Sequence, residues 1–187
     1  MKSLLLILAS YCFLTSPDTP TVNNIIKEVP DELINTTLLL PRFVEYTKES
    51  APEGMPESYI KVNNREAKRC NETMLEMAKK NYPFKVKLVD FSEIEEYRKQ
   101  GYRYYLDMVL MPKQMEEPKK EVMVPSFVKY KSPQHMFTNV YVQFHYYYYI
   151  RDLETNDAYI TTRLKGNEEA FVGINKFFKQ LTKDLAN

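Results

Sequence analysis

The chain has 187 residues, 44% of them hydrophobic, 13% aromatic and 27% charged, which is too apolar for a disordered chain and long enough for one packed domain. Its 26 Lys+Arg against 25 Asp+Glu leave a net charge of +1, and this excludes a nucleic-acid binder that works by neutralising phosphates, which needs a strong basic excess. Two cysteines cannot build a disulfide framework or a four-thiolate metal site.

The chain opens with Lys2, the apolar run Leu4 to Ala9, and Tyr11 to Leu14. A positive charge ahead of a short apolar run is the pattern of a secretory signal. The run is about eleven residues, short of the roughly 20 that a permanent bilayer-spanning helix needs. Residues 1–16 are therefore expected to be a signal peptide; the competing reading is a buried N-terminal helix or strand. Cys12 is a candidate for lipidation, although Tyr11 stands where a bacterial lipoprotein has a small residue. No later stretch is apolar for long enough to span a membrane, so the mature chain is expected to carry no transmembrane helix.

Residues 17–32, with Pro17, Pro20 and Pro30, read as a tether, and a single α/β domain is expected over 33–187. Leu38-Leu39-Leu40 suits a buried strand ending at Pro41. A helix is predicted from Asn64, as N-cap, to Lys80, because Ala67, Cys70, Met74, Met77 and Ala78 recur at spacings of three and four. Cys70 on that face reads as a buried, inert thiol. Asn35-Thr36-Thr37 and Asn71-Glu72-Thr73 match the glycosylation acceptor pattern.

Residues 84–91 alternate as a strand. Ser92 and Glu95 have capping-box spacing for a short helix that Gly101 would close, and 102–111 form a third strand. Strand, helix, strand, helix, strand is a parallel βαβαβ unit. Residues 122–130 read as an edge strand because Pro125 cannot donate to a central ladder.

Residues 138–151 alternate most clearly. Tyr146, Tyr148 and Ile150 lie on the expected core face, and Tyr141, His145, Tyr147, Tyr149 and Arg151 on the other. The partner strand is placed at 158–164. A five-residue connection would set Ile150 opposite Ile160 and carry Tyr159 onto the tyrosine face. Asn167 is the expected N-cap of a C-terminal helix whose stripe runs from Ala170 to Leu185. Within that helix Gly173 suggests close backbone packing. The fold expected is α/β: a mixed sheet from a βαβαβ unit, an antiparallel hairpin, and a C-terminal helix packed on the sheet.

This order of elements resembles the domain shared by curli-secretion lipoproteins of the CsgG type and the N-terminal domain of TolB. The residues that carry it are Leu38 to Phe43, with its proline–aromatic ending, the lead-in Gly101-Tyr102-Arg103-Tyr104-Tyr105-Leu106, and the turn Asp152-Leu153-Glu154-Thr155-Asn156-Asp157. The resemblance covers about residues 33–186. It implies a fold and an envelope location, and it supplies no catalytic residues.

Chemistry-bearing motifs are scarce. His135 and His145 are the two histidines, and neither has a partner at ligand spacing, so no metal site and no cofactor are expected. Asp90 with Glu93, and Asp152 with Asp157, sit where a helix start or a turn already favours an acid. The best candidate is a binding face of Tyr141, His145, Tyr147, Tyr149 and Tyr159, since tyrosine joins apolar area to a polar tip. These features point to an exported, non-catalytic binding or assembly protein of the cell envelope, with another envelope protein or a glycan as partner. The alternatives are a secreted enzyme whose site is assembled from distant residues, and a periplasmic small-ligand carrier.

Overall fold

The computed structural model describes residues 21–51, 53–113, 119–120, 123, 144–163 and 166–186. The elements in chain order are β1 (Ile25–Ile26), a 3-10 turn (Asp31–Asn35), β2 (Thr37–Pro41), α1 (Glu57–Asn81), β3 (Lys85–Val89), a 3-10 turn (Phe91–Glu93), α2 (Ile94–Lys99), β4 (Tyr104–Pro112), β5 (Phe144–Asp152), β6 (Ala158–Tyr159) and α3 (Ala170–Asp184). The six strands form one mixed sheet in the order β1-β6-β5-β4-β2-β3. β2 pairs in parallel with both β3 and β4, while β5 runs antiparallel to β4 and β6. The α/β class, the βαβαβ unit, the hairpin and the C-terminal helix are all present.

Both faces of the sheet are covered, which is why β2 is an unbroken leucine run rather than an alternating one. On the first face Leu38, Leu40, Leu106, Met108, Tyr148 and Ile150 pack under Ala67, Cys70 and Met74 of α1 and Ile174, Phe178 and Leu181 of α3. On the second face Leu39, Val89 and Tyr105 pack with Ile94 of α2. Further along that face Val109, Met111, Tyr147, Tyr149, Ala158 and Ile160 gather with Val22 and Met123.

Several expectations are corrected. Residues 21–32 are no tether: Val22 is buried and β1 pairs in parallel with β6. α1 begins after Pro56, seven residues before Asn64. Instead of capping the helix, Asn64 accepts a hydrogen bond from the Tyr46 amide and donates to the Tyr46 carbonyl, both at 2.8 Å. Asn71 holds Phe43 in the same way, at 2.8 and 3.0 Å, so the side-chain amide of that glycosylation pattern is already engaged. The capping box is Asp90 with Glu93, not Ser92 with Glu95. α3 starts at Ala170. Asn167 instead bridges to Tyr146 and accepts from the Glu169 amide.

The hairpin register is also one residue away from that expected. Ile150 faces Tyr159 and Arg151 faces Ala158, because Asn156 takes a left-handed backbone conformation (φ 59°) that asparagine tolerates, and tightens the turn. β6 is two residues long rather than seven. Apart from Met123, the edge strand at 122–130 lies outside the described residues, as does the 138–143 part of the long strand.

Candidate functional site

The one-residue change of register decides the fate of the tyrosine face. It moves Tyr159 to the first face, where its ring meets Tyr104 edge-on at 6.3 Å. Tyr147 and Tyr149 stay on the second face but are only 6% and 1% exposed. The segment after β6 crosses above Tyr147: a Cβ on Gly166 would stand 2.4 Å from the Tyr147 ring and 2.7 Å from the His145 Cβ. His145 is 18% exposed at its side chain, 3.7 Å from the Glu168 carboxylate, and tilted against Tyr147. Tyr141 and Cys12 lie outside the described residues. Of the expected binding face, Tyr147 and Tyr149 are therefore buried, while His145 and Tyr159 stay partly exposed.

The burial brings together a polar group that the pattern reading missed. Asp107 faces Tyr149 across the β4–β5 ladder, and Tyr105 faces Arg151. The Asp107 Oδ2 accepts from the Tyr149 hydroxyl at 2.7 Å, from the Tyr105 hydroxyl at 3.3 Å and from Arg151 Nη1 at 3.5 Å. Its Oδ1 accepts from the Met108 amide at 2.8 Å. Arg151 also donates from Nε and Nη2 to the Asn156 side chain, which in turn donates to the Thr21 carbonyl. Asp107 and Arg151 are 0% and 3% exposed. Burial, and then the adjacent Asp107 charge, hold both phenols well above the ordinary value of 10. Arg151 stays strongly basic: burial opposes its charge, but the two phenols and Asp107 outweigh it. An acid inside the otherwise apolar run Tyr104 to Met111 was the available sequence signal.

The acid pairs noted in the sequence have structural work. Asp152 accepts from the Glu154 and Thr155 amides and from Arg103, and Asp157 accepts from Asn24. The Cys70 thiol is buried, and burial pushes its pKa up to about 12. Among the described residues no three His, Cys, Asp or Glu side chains gather as a metal-holding set. Among them, too, no helix is long and apolar enough to cross a membrane.

A pocket of about 270 Å³ opens between α3 and the segment leaving β6, lined among others by Tyr148, Phe177, Arg163, Lys176, Lys179 and Lys183. It lies on the first face, at the point where the outer edge of β5 has lost β6 and not yet met Asn167. The lysines at 176, 179 and 183 follow the helical spacing that puts side chains on one stripe, a pattern legible in the sequence. The chain matches no protein-family model, no curated protein and no solved structure.

Proposed function

We propose that the chain is an exported, non-catalytic binding component of a cell envelope. The observation that carries the binding reading over the enzyme reading is the state of the Asp107 carboxylate. It is the acid with the most chemistry around it, yet each oxygen is taken by donors of the chain itself and the carboxylate has no access to solvent. A general acid or base must come within hydrogen-bond reach of a substrate proton, and this group offers no approach. Export is supported by Lys2 and the apolar run after it. The pattern resemblance to envelope proteins of the CsgG type points the same way.

We do not place the binding surface on the tyrosine face, because Tyr147 and Tyr149 are buried and Tyr159 shares the face of Ile150. The small-ligand carrier remains as a second reading because of the pocket beside α3. Fractionation of the native host with N-terminal mass analysis tests the proposal. The expected result is material outside the cytosol that has lost about the first 16 residues, or that starts at an acylated Cys12. Cytosolic material retaining Met1 would overturn it.

A further inference from the structure

We infer that the pocket between α3 and the strand-leaving segment is a binding site for a small organic phosphate. The inference rests on the reading of the chain as a binding protein and supplies its ligand class. The chain as a whole is almost neutral, at +1, yet Arg163, Lys176, Lys179 and Lys183 surround one concavity. Among the described residues Arg163, Lys176 and Lys179 form no ion pair with a carboxylate. The acid nearest in sequence on α3, Asp184, is engaged elsewhere: it accepts from the Thr162 amide at 2.8 Å, the Thr162 hydroxyl at 2.7 Å and the Gln180 amide at 2.7 Å. Those bonds fix the leaving segment against the last turn of α3 and hold Arg163 opposite the lysine stripe. Cations gathered around low-dielectric walls focus an attractive field for an anion.

Shape then narrows the class. A volume of about 270 Å³ lies just under the roughly 300–1,000 Å³ usual for small-molecule sites, so a compact ligand fits and a polymer chain does not. The apolar wall is built from the alkyl stems of Lys176 and Lys179 and the edges of the Tyr148 and Phe177 rings, which are 2% and 5% exposed. That wall gives a small apolar body something to lie against. The rim carries a guanidinium, whose planar fork matches a phosphate, and ammonium groups that act as point charges. A bare oxyanion would use the rim and leave the wall empty; a neutral ring would do the reverse. An organic phosphate monoester uses both.

Calorimetric titration of the chain, in the form isolated from its host, tests this with phenyl phosphate, inorganic phosphate and phenol. Phenyl phosphate should saturate one site and bind more tightly than either fragment. The Lys176→Gln/Lys179→Gln double variant, and separately Arg163→Gln, should weaken it by about tenfold, equivalent to some 1.4 kcal/mol. Lys79→Gln/Lys80→Gln at the end of α1 should leave it unchanged. Equal weakening by the α1 pair, or inorganic phosphate binding as tightly as the ester, would overturn the proposal. A lipid headgroup is the other source of the same chemistry. Vesicles of phosphatidylcholine with phosphatidic acid should then release the chain when phenyl phosphate is added, and retention on them would mean adsorption to a charged surface and sink the site. A failed titration leaves the fractionation result standing, and cytosolic material retaining Met1 leaves the titration standing, so the two proposals fail separately.

Discussion

A tyrosine hydroxyl is worth most to a fold where it can neither ionise nor stay unbonded. Tyr105, Tyr148 and Tyr149 meet that condition: burial first of all holds each phenol well above 10, and each hydroxyl has an acceptor in Asp107 or the Ala170 carbonyl. Tyr82, Tyr104 and Tyr146 are raised as well, again mainly by burial. A raised native pKa means that the folded chain keeps protons which the unfolded chain gives up near pH 10. Stability from these groups is therefore whole below about pH 10 and falls as pH rises beyond it. Phenolate absorbance followed together with circular dichroism should show these six tyrosines ionising in one cooperative step as the fold is lost. A gradual titration of all 15 tyrosines with the fold intact would mean that the second face of β5 is wet.

At the scale of elements, β4 and β5 are held in register by a charged pair rather than by apolar fit alone. Asp107 and Arg151 lie two residues apart along the ladder on one face, and a slip of one residue would turn one of them to the opposite face. Removing one partner leaves an uncompensated buried charge, which costs about 3–5 kcal/mol, whereas replacing both by apolar groups is often near neutral. Arg151→Met should thus lower the denaturation midpoint strongly, and Asp107→Leu/Arg151→Met should recover much of the loss. If the double variant is as unstable as the single one, the pair does more than compensate itself. Periodicity revealed β2, β3, β4, α1 and α3 because those segments bury a stripe or an alternation that neighbours in sequence already display. It could not reveal that both faces of β5 are covered, since a tyrosine reads alike on a wet face and a dry one. Nor could it place Asn64 and Asn71: an asparagine seven residues from the next suggests caps or surface, and its true partners, the Tyr46 and Phe43 backbones, come from a loop without periodicity.

For the whole molecule, the N-terminal segment is what a sequence reading places worst and what the domain most depends on at its edge. Thr21 to Ile26 carries prolines shortly before it and too few apolar residues to show a period, so composition alone marks it as a linker. Its affinity for the sheet comes from a distant partner, the β5–β6 turn. The Asn23 amide donates to the Asn156 carbonyl, Asn24 Nδ2 to Asp157, Asn156 Nδ2 to the Thr21 carbonyl, and the Ala158 and Ile160 amides to the Asn24 and Ile26 carbonyls. Val22 is buried with Tyr149 and Ile160 in the same cluster. A chain beginning at Pro17 keeps every one of these bonds, and its melting temperature should equal that of the full-length chain. A chain beginning at Glu28 loses them, uncovers the outer edge of β6, and deprives Asn156, the residue that orients Arg151, of its Thr21 partner. Intramolecular hydrogen bonds contribute about 0.5–1.5 kcal/mol each, and the loss of several together with the Val22 contact should lower the melting temperature by roughly ten degrees or more, at about 2–4 °C per kcal/mol for a chain of this size. Equal melting of the two truncated chains would show that this segment is carried by the sheet without supporting it.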